Sequence, residues 1–247
     1  VEITPKANLM KISDILFAAR AESPRFRDAL AFVCKWEATL DKDGSIVAEN
    51  DHDGEGITFC GLTQKSDALP VDANGTVTAS PGWIVTRYLT GYWNLVLAST
   101  LPFPVGECAF NFGVNCGNGE AAILLQKTLN ALGLGPLAVD GGLGPQTLDA
   151  VWKADANQLA RALCAQAVTH YHGIVAANPE RDGDLNGWIH RTDDLLETFC
   201  TSAAATAAAS PSVHPSTIDP SPSTQPSSLT ITPNVGETIV VDDQAVS

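Results

Sequence analysis

The chain has 247 residues, 45% of them hydrophobic, and a formal net charge of −14. An acidic chain with no offsetting basic run argues against nucleic acid as a partner. No apolar run reaches the length of a membrane span. The tail from Thr201 onward carries Asp219, Glu237, Asp242 and Asp243 but no Lys or Arg, so ten of the net negative charges belong to the body.

In chain order, a first helix is expected over about residues 7–21. Ser23-Pro24 then supplies an N-cap followed by proline at the first helical position. Phe26, Leu30, Val33 and Trp36 recur at helical spacing and bring Glu37 to the helix end. From Leu40 to Thr63, Asp, Gly and Asn are dense around short apolar pieces, which predicts turns and a small irregular hairpin. Ser80-Pro81 opens another helix through Trp83, Tyr88, Tyr92 and Trp93, whose spacing suits a core face. Further helices are expected near 104–115, 117–132, 144–153, 155–177 and 184–200. The fold class is therefore mainly α, with a small β-hairpin. The Ser/Thr/Pro/Ala-rich stretch 201–247 cannot bury enough surface to offset chain entropy and reads as a disordered tail, with Thr238 to Val241 a β-prone piece.

Six cysteines and no CxxC pair make a zinc ribbon unlikely on spacing grounds. The even count admits disulfides as well as buried free thiols. Cys108 and Cys116 on one helix would lie about 12 Å apart, beyond disulfide reach. His170 and His172 diverge on a helix, so no metal site and no cofactor is expected.

Glu37 is the residue best suited to acid chemistry. Cleaving a glycosidic bond needs a proton for the leaving oxygen, and a carboxyl sheltered beside an aromatic side chain such as Trp36 can keep one. The polar segment Asn50 to Thr63 offers partners across a hairpin. Asp51, Asp53 and Glu55 are candidate second carboxylates that orient or deprotonate water, and the Thr58 hydroxyl can hold that water. A solvated charged loop explains the same residues without function. Asn111 and Asn115, four apart on one helical face, can bond substrate or satisfy buried backbone.

Several short motifs occur in a consistent order. Trp36-Glu37-Ala38-Thr39 precedes Asp53-Gly54-Glu55-Gly56-Ile57-Thr58-Phe59-Cys60-Gly61-Leu62-Thr63. Tyr92-Trp93, Leu101-Pro102, Phe110-Asn111-Phe112-Gly113-Val114-Asn115-Cys116-Gly117 and Leu125-Gln126 follow. Val139-Asp140-Gly141-Gly142-Leu143-Gly144-Pro145-Gln146-Thr147-Leu148 and Gly187-Trp188-Ile189-His190-Arg191 close the series. From about Phe26 to Thr192 the chain resembles the glycoside hydrolase family 108 lysozymes, N-acetylmuramidases of phages and bacteria. Ala38-Thr39-Leu40 departs from the Gly-Gly-Tyr that follows the acid in that family, and Gly54 replaces a proline.

The resemblance implies a lysozyme-like α+β body that hydrolyses peptidoglycan glycan strands as a monomer. Glu37 would be the general acid, with Asp53 and Thr58 handling water. Tyr92, Asn111, Asn115, Asp51 and Glu55 would contact substrate. It implies a catalytic lobe over 1–106 and a helical lobe over 107–200, resembling a peptidoglycan-binding region and packed in the same body. The setting would be extracellular, periplasmic or phage-delivered to the cell wall. The altered residues after Glu37 also fit a non-catalytic peptidoglycan-binding or virion structural protein, and a lytic transglycosylase is a third class because it needs one acid and no partner that activates water.

Overall fold

Pro24–Glu37 (α2) forms where the sequence places a start signal, because the Ser23 hydroxyl accepts from the Phe26 N–H at 3.3 Å and Pro24 occupies the first turn. The same device opens Pro81–Tyr88 (α3), where Ser80 accepts from Trp83 N at 3.1 Å. Asp155 caps Ala156–Ala177 (α7) by accepting from Gln158 N at 2.8 Å. Each cap satisfies an N–H that lacks a partner inside its helix.

The computed structural model describes residues 10–50 and 54–201. The tail beyond Thr201 with its β-prone piece, the first nine residues, and both Asp51 and Asp53 lie outside the described residues. The other helices are Ile12–Ala18 (α1), Val105–Cys116 (α4), Asn118–Ala131 (α5), Pro145–Lys153 (α6) and Asp182–Phe199 (α8). A two-residue hairpin joins Thr58–Phe59 (β1) to Leu62–Thr63 (β2), antiparallel, with Thr58 opposite Thr63 and Phe59 opposite Leu62. The described part is mainly α with one small sheet, as the periodicity predicts. The first helix begins at Ile12, and a single turn of 3-10 helix carries it on to Ala21.

The core is organised around α4, whose residues Val105 to Gly113 are all buried. A helix buried on every side must be surrounded, and α4 packs against α2, α5, α7 and the π-helical turn Leu89–Trp93. Phe110 of α4 meets Trp93 at 5.4 Å and Phe26 at 6.1 Å between ring centroids. Phe26 and Trp93 touch edge to face at 5.4 Å. Such contacts add about 0.5–1.5 kcal/mol each beyond area burial. Trp93 and Tyr88 are thus core residues, as their spacing suggests.

Ion pairs hold both ends of α2. At its start, Arg25 donates from Nε to Glu107 Oε1 at 2.7 Å and from Nη2 to Oε2 at 2.9 Å. Glu107 is fully buried on α4, and burial pushes its carboxyl above the usual range while Arg25 opposes that shift. At its end, Glu37 is gripped from α8, as described below.

The Leu-Gln and Asp-Gly motifs meet in one knot. Buried Gln126 on α5 donates to Asp140 Oδ1 at 2.7 Å and to the Gly142 carbonyl at 2.8 Å. Its Oε1 accepts from the backbone N–H groups of Asp140 and Gly141, each at 3.0 Å. One amide therefore shapes the loop before α6. Gln126→Ala leaves those backbone groups without their partner and is expected to destabilise the protein by about 2–3 kcal/mol, measured by urea unfolding.

Candidate active site

Glu37 is the last residue of α2, with its side chain 20% exposed. The hairpin tip closes over it. Cys60 and Gly61 both have positive φ (51° and 72°), the requirement of a tight two-residue hairpin turn. A Cβ on Gly61 would lie 2.6 Å from Glu37 Oε2 and 2.7 Å from Glu37 Cβ. Glycine is therefore required here twice over, by backbone angle and by contact with Glu37.

Arg191 of α8 approaches the same carboxyl. Its Nη1 donates to Glu37 Oε1 at 2.5 Å, and its Nε donates to Asn111 Oδ1 at 2.8 Å. The Arg191 side chain is 8% exposed. Glu37 Oε2 takes no hydrogen bond from any described residue. This differs from the aromatic shelter expected from sequence. Trp36 turns instead to α8, where its indole N–H donates to Asp194 Oδ2 at 2.7 Å. Lys35 Nζ donates to the same oxygen at 2.7 Å. Successive helical residues point about 100° apart, so Trp36 and Glu37 cannot share one environment.

Behind the carboxyl lies a layer of thiols and phenols. Cys60 Sγ is 3.7 Å from Cys34 Sγ, one turn before Glu37. The hydrogen bond with Cys60, then burial, push the Cys34 thiol up. Tyr88 donates to the Cys60 carbonyl at 2.6 Å, and burial followed by the charges of Cys60 and Glu37 push its phenol up. Cys34 and Tyr88 therefore stay neutral near pH 7. All six cysteines are free thiols, not disulfides.

The hairpin is anchored from its other side by buried Asp67. Asp67 Oδ2 accepts from Thr63 N at 2.9 Å. Its Oδ1 accepts from Arg87 Nε at 3.0 Å and from the Tyr92 hydroxyl at 2.7 Å. Burial and the bond to Asp67 push the Tyr92 phenol up. Tyr92 is half-buried and serves this anchor.

The remaining sequence candidates fall as follows. Thr58 starts β1 and exchanges backbone hydrogen bonds with Glu49, at 2.8 and 2.9 Å. No hydrogen bond joins Thr58 to Glu37. Glu55 accepts from the Ser66 hydroxyl, lies 3.4 Å from the Thr63 hydroxyl and 3.4 Å from Lys65 Nζ. The Ser66 contact, with Lys65, holds its carboxyl below the usual range. Asn111 is fully buried and reaches Glu37 through Arg191, not directly. Asn115 Nδ2 donates to the Tyr171 hydroxyl at 2.7 Å. The two asparagines thus serve side chains of α8 and α7, where the sequence pattern suggested backbone or substrate. Among the described residues, no cluster of His, Cys, Asp and Glu could hold a metal ion, and no helix is long and apolar enough to cross a membrane.

Residues 120–193 match the family model described as Predicted Peptidoglycan domain. The segment runs from α5 into α8 and contains Arg191. The match supports a peptidoglycan-associated role for the chain. Among solved structures, Brucella abortus SagA is similar: 22% identical, covering 76% of this chain and 97% of that one, with a TM-score of 0.57. The likeness is one of fold. No curated protein matches the chain.

Arg191, Gly61 and Asp67 were not singled out as site residues from sequence. The Gly-Trp-x-x-Arg run was visible, but nothing local links it to Glu37. Gly61→Ala is expected to strain the turn by about 1–2 kcal/mol. It should also push the hairpin tip off Glu37 and lower any wall-lytic rate by roughly 100-fold, as misplacement of a reacting group does. Melting and clearing of purified peptidoglycan measure the two effects.

Proposed function

We propose that the chain is a muramidase-type glycosidase that cleaves the glycan strand of peptidoglycan, with Glu37 as proton donor. The observation that carries this reading is the placement of Glu37. A carboxyl group at a helix end, one-fifth exposed, is fixed between a hairpin tip and a guanidinium that belongs to the peptidoglycan-matching segment. The motif resemblance to the family 108 lysozymes supports the same residue. The polar segment before β1, with Asp53 as first candidate, supplies the second carboxylate that manages water. In the reaction, Glu37 passes its proton to the glycosidic oxygen while the C–O bond breaks and its electron pair stays with that oxygen. Water then adds to the sugar carbon through its oxygen and gives one proton to the second carboxylate.

The ion pair between Glu37 and Arg191 also fits a second reading, a wall-binding protein in which the pair is only a clamp. Glu37→Gln separates the two. Glutamine keeps an acceptor for Arg191, so the melting temperature should stay nearly unchanged. Clearing of peptidoglycan in a zymogram should fall at least about 100-fold. Full clearing by this variant would remove Glu37 from the chemistry, and absence of clearing by the unmodified chain with intact wall binding would favour the clamp. Mass spectrometry of the products distinguishes hydrolysis from transglycosylation, because anhydro ends exclude water as acceptor.

A further inference from the structure

The segment 120–193 matches a peptidoglycan domain, yet its Arg191 grips the candidate acid. A detachable wall-binding module would leave that carboxyl alone. Here α8 is fastened along the end of α2 at two points, by Arg191 to Glu37 and by Asp194 to Lys35 and Trp36. Its other side is secured by Trp188, whose ring lies 5.2 Å from that of Tyr171 on α7.

The hydrogen bonding of Arg191 is incomplete for a purely structural brace. Nη1 and Nε are used, but Arg191 Nη2 and Asn111 Nδ2 are both buried with no acceptor among the described residues. Unmet buried donors are uncommon and ask for an explanation. Arginine also differs from lysine in presenting donors along two edges of a plane, so one residue can hold Asn111 and Glu37 at a fixed angle.

We propose that the peptidoglycan-matching segment forms a wall of the active site and that Arg191 is the positioning residue for Glu37. This rests on the muramidase reading. Oε1 is engaged by Arg191, so Oε2 is the oxygen that hands over the proton. When that proton moves to the leaving oxygen, the carboxylate left behind already has a charge-assisted hydrogen bond in place. Nη2, still without an acceptor, allows the carboxylate to turn into two-point contact without breaking an existing bond. Asn111 holds the guanidinium plane and acts only through it. Among the described residues, the other titratable groups that act on Glu37 include Cys34 on its own helix, Tyr88 on α3 and Tyr92 in the π turn, and Arg191 is the cation bonded to it.

The test compares Arg191→Met and Arg191→Lys in the full chain, with Gln126→Ala as a destabilised control in the same segment. Three quantities are read for each: kcat and KM on purified peptidoglycan, sedimentation of the protein with walls, and melting temperature. Arg191→Met should lose about 100-fold in kcat, with KM and sedimentation within about twofold of the unmodified chain. Arg191→Lys should recover roughly tenfold of that loss, because the charge returns without the fork. Added methylguanidinium should restore part of the rate of Arg191→Met. Gln126→Ala should melt earlier yet keep its kcat below the transition.

Unchanged kcat in Arg191→Met overturns the proposal. So does a loss of sedimentation that parallels the loss of rate, which would make the segment a binding module. If Arg191→Met does not fold, Arg191→Lys decides alone, and a kcat equal to that of the unmodified chain overturns the assignment. An active Glu37→Gln overturns the muramidase reading itself. An inactive Glu37→Gln beside a fully active Arg191→Met overturns only the role of Arg191.

Discussion

The guanidinium of Arg191 stands between two acceptors, Asn111 and Glu37, that lie 80 and 154 residues away in the chain. Almost everything else about the candidate site follows from bringing those three residues together. The pair fixes the end of α2 against α8, and α8 can lie there only because α7 and α4 set its position from behind. The Arg25–Glu107 pair performs the matching task at the start of α2, so the helix is held at both ends by charge and between them by the aromatic contacts of Phe26 and Phe32. Partly buried ion pairs of this kind contribute little net stability compared with apolar packing. What they supply is a defined position for a group that apolar packing could not orient.

Seen from the acid, the surrounding elements divide the work. The hairpin brings a backbone with no side chain, Gly61, into contact with the carboxyl, close against Oε2. Asp67 ties that hairpin to Arg87 and Tyr92, so the tip does not depend on its own two-residue strands for stability. That matters because an isolated hairpin of this length is marginal in water. A layer of Cys34, Cys60 and Tyr88 backs the site, with the Cys34 thiol and the Tyr88 phenol both pushed up. Among the described residues, the positive charge bonded to Glu37 comes from Arg191 on α8.

This arrangement changes how the halves of the molecule relate. The peptidoglycan match covers helices that the sequence already places in the same body, and that segment meets Glu37 directly.

Much of the fold was legible before the structure. Proline-opened helices at Pro24, Pro81 and Pro145, the capping serines, and the 3.6-residue periodicity around Phe26 and Phe110 are local signals, and local physics writes them directly into the chain. The end of α2 at Glu37 belongs to the same class, whereas the turn at Cys60-Gly61 falls inside a piece that read as continuously apolar. The pairing of Glu37 with Arg191, the turning of Trp36 toward Asp194, and the employment of Asn111 as a holder of Arg191 did not follow from pattern. Each joins residues separated by 80 positions or more, and no short-range spacing encodes which distant side chain will arrive at a helix end. Only the packing of α8 across α2 decides that, because a buried charge accepts whichever opposite charge the fold delivers within hydrogen-bond reach.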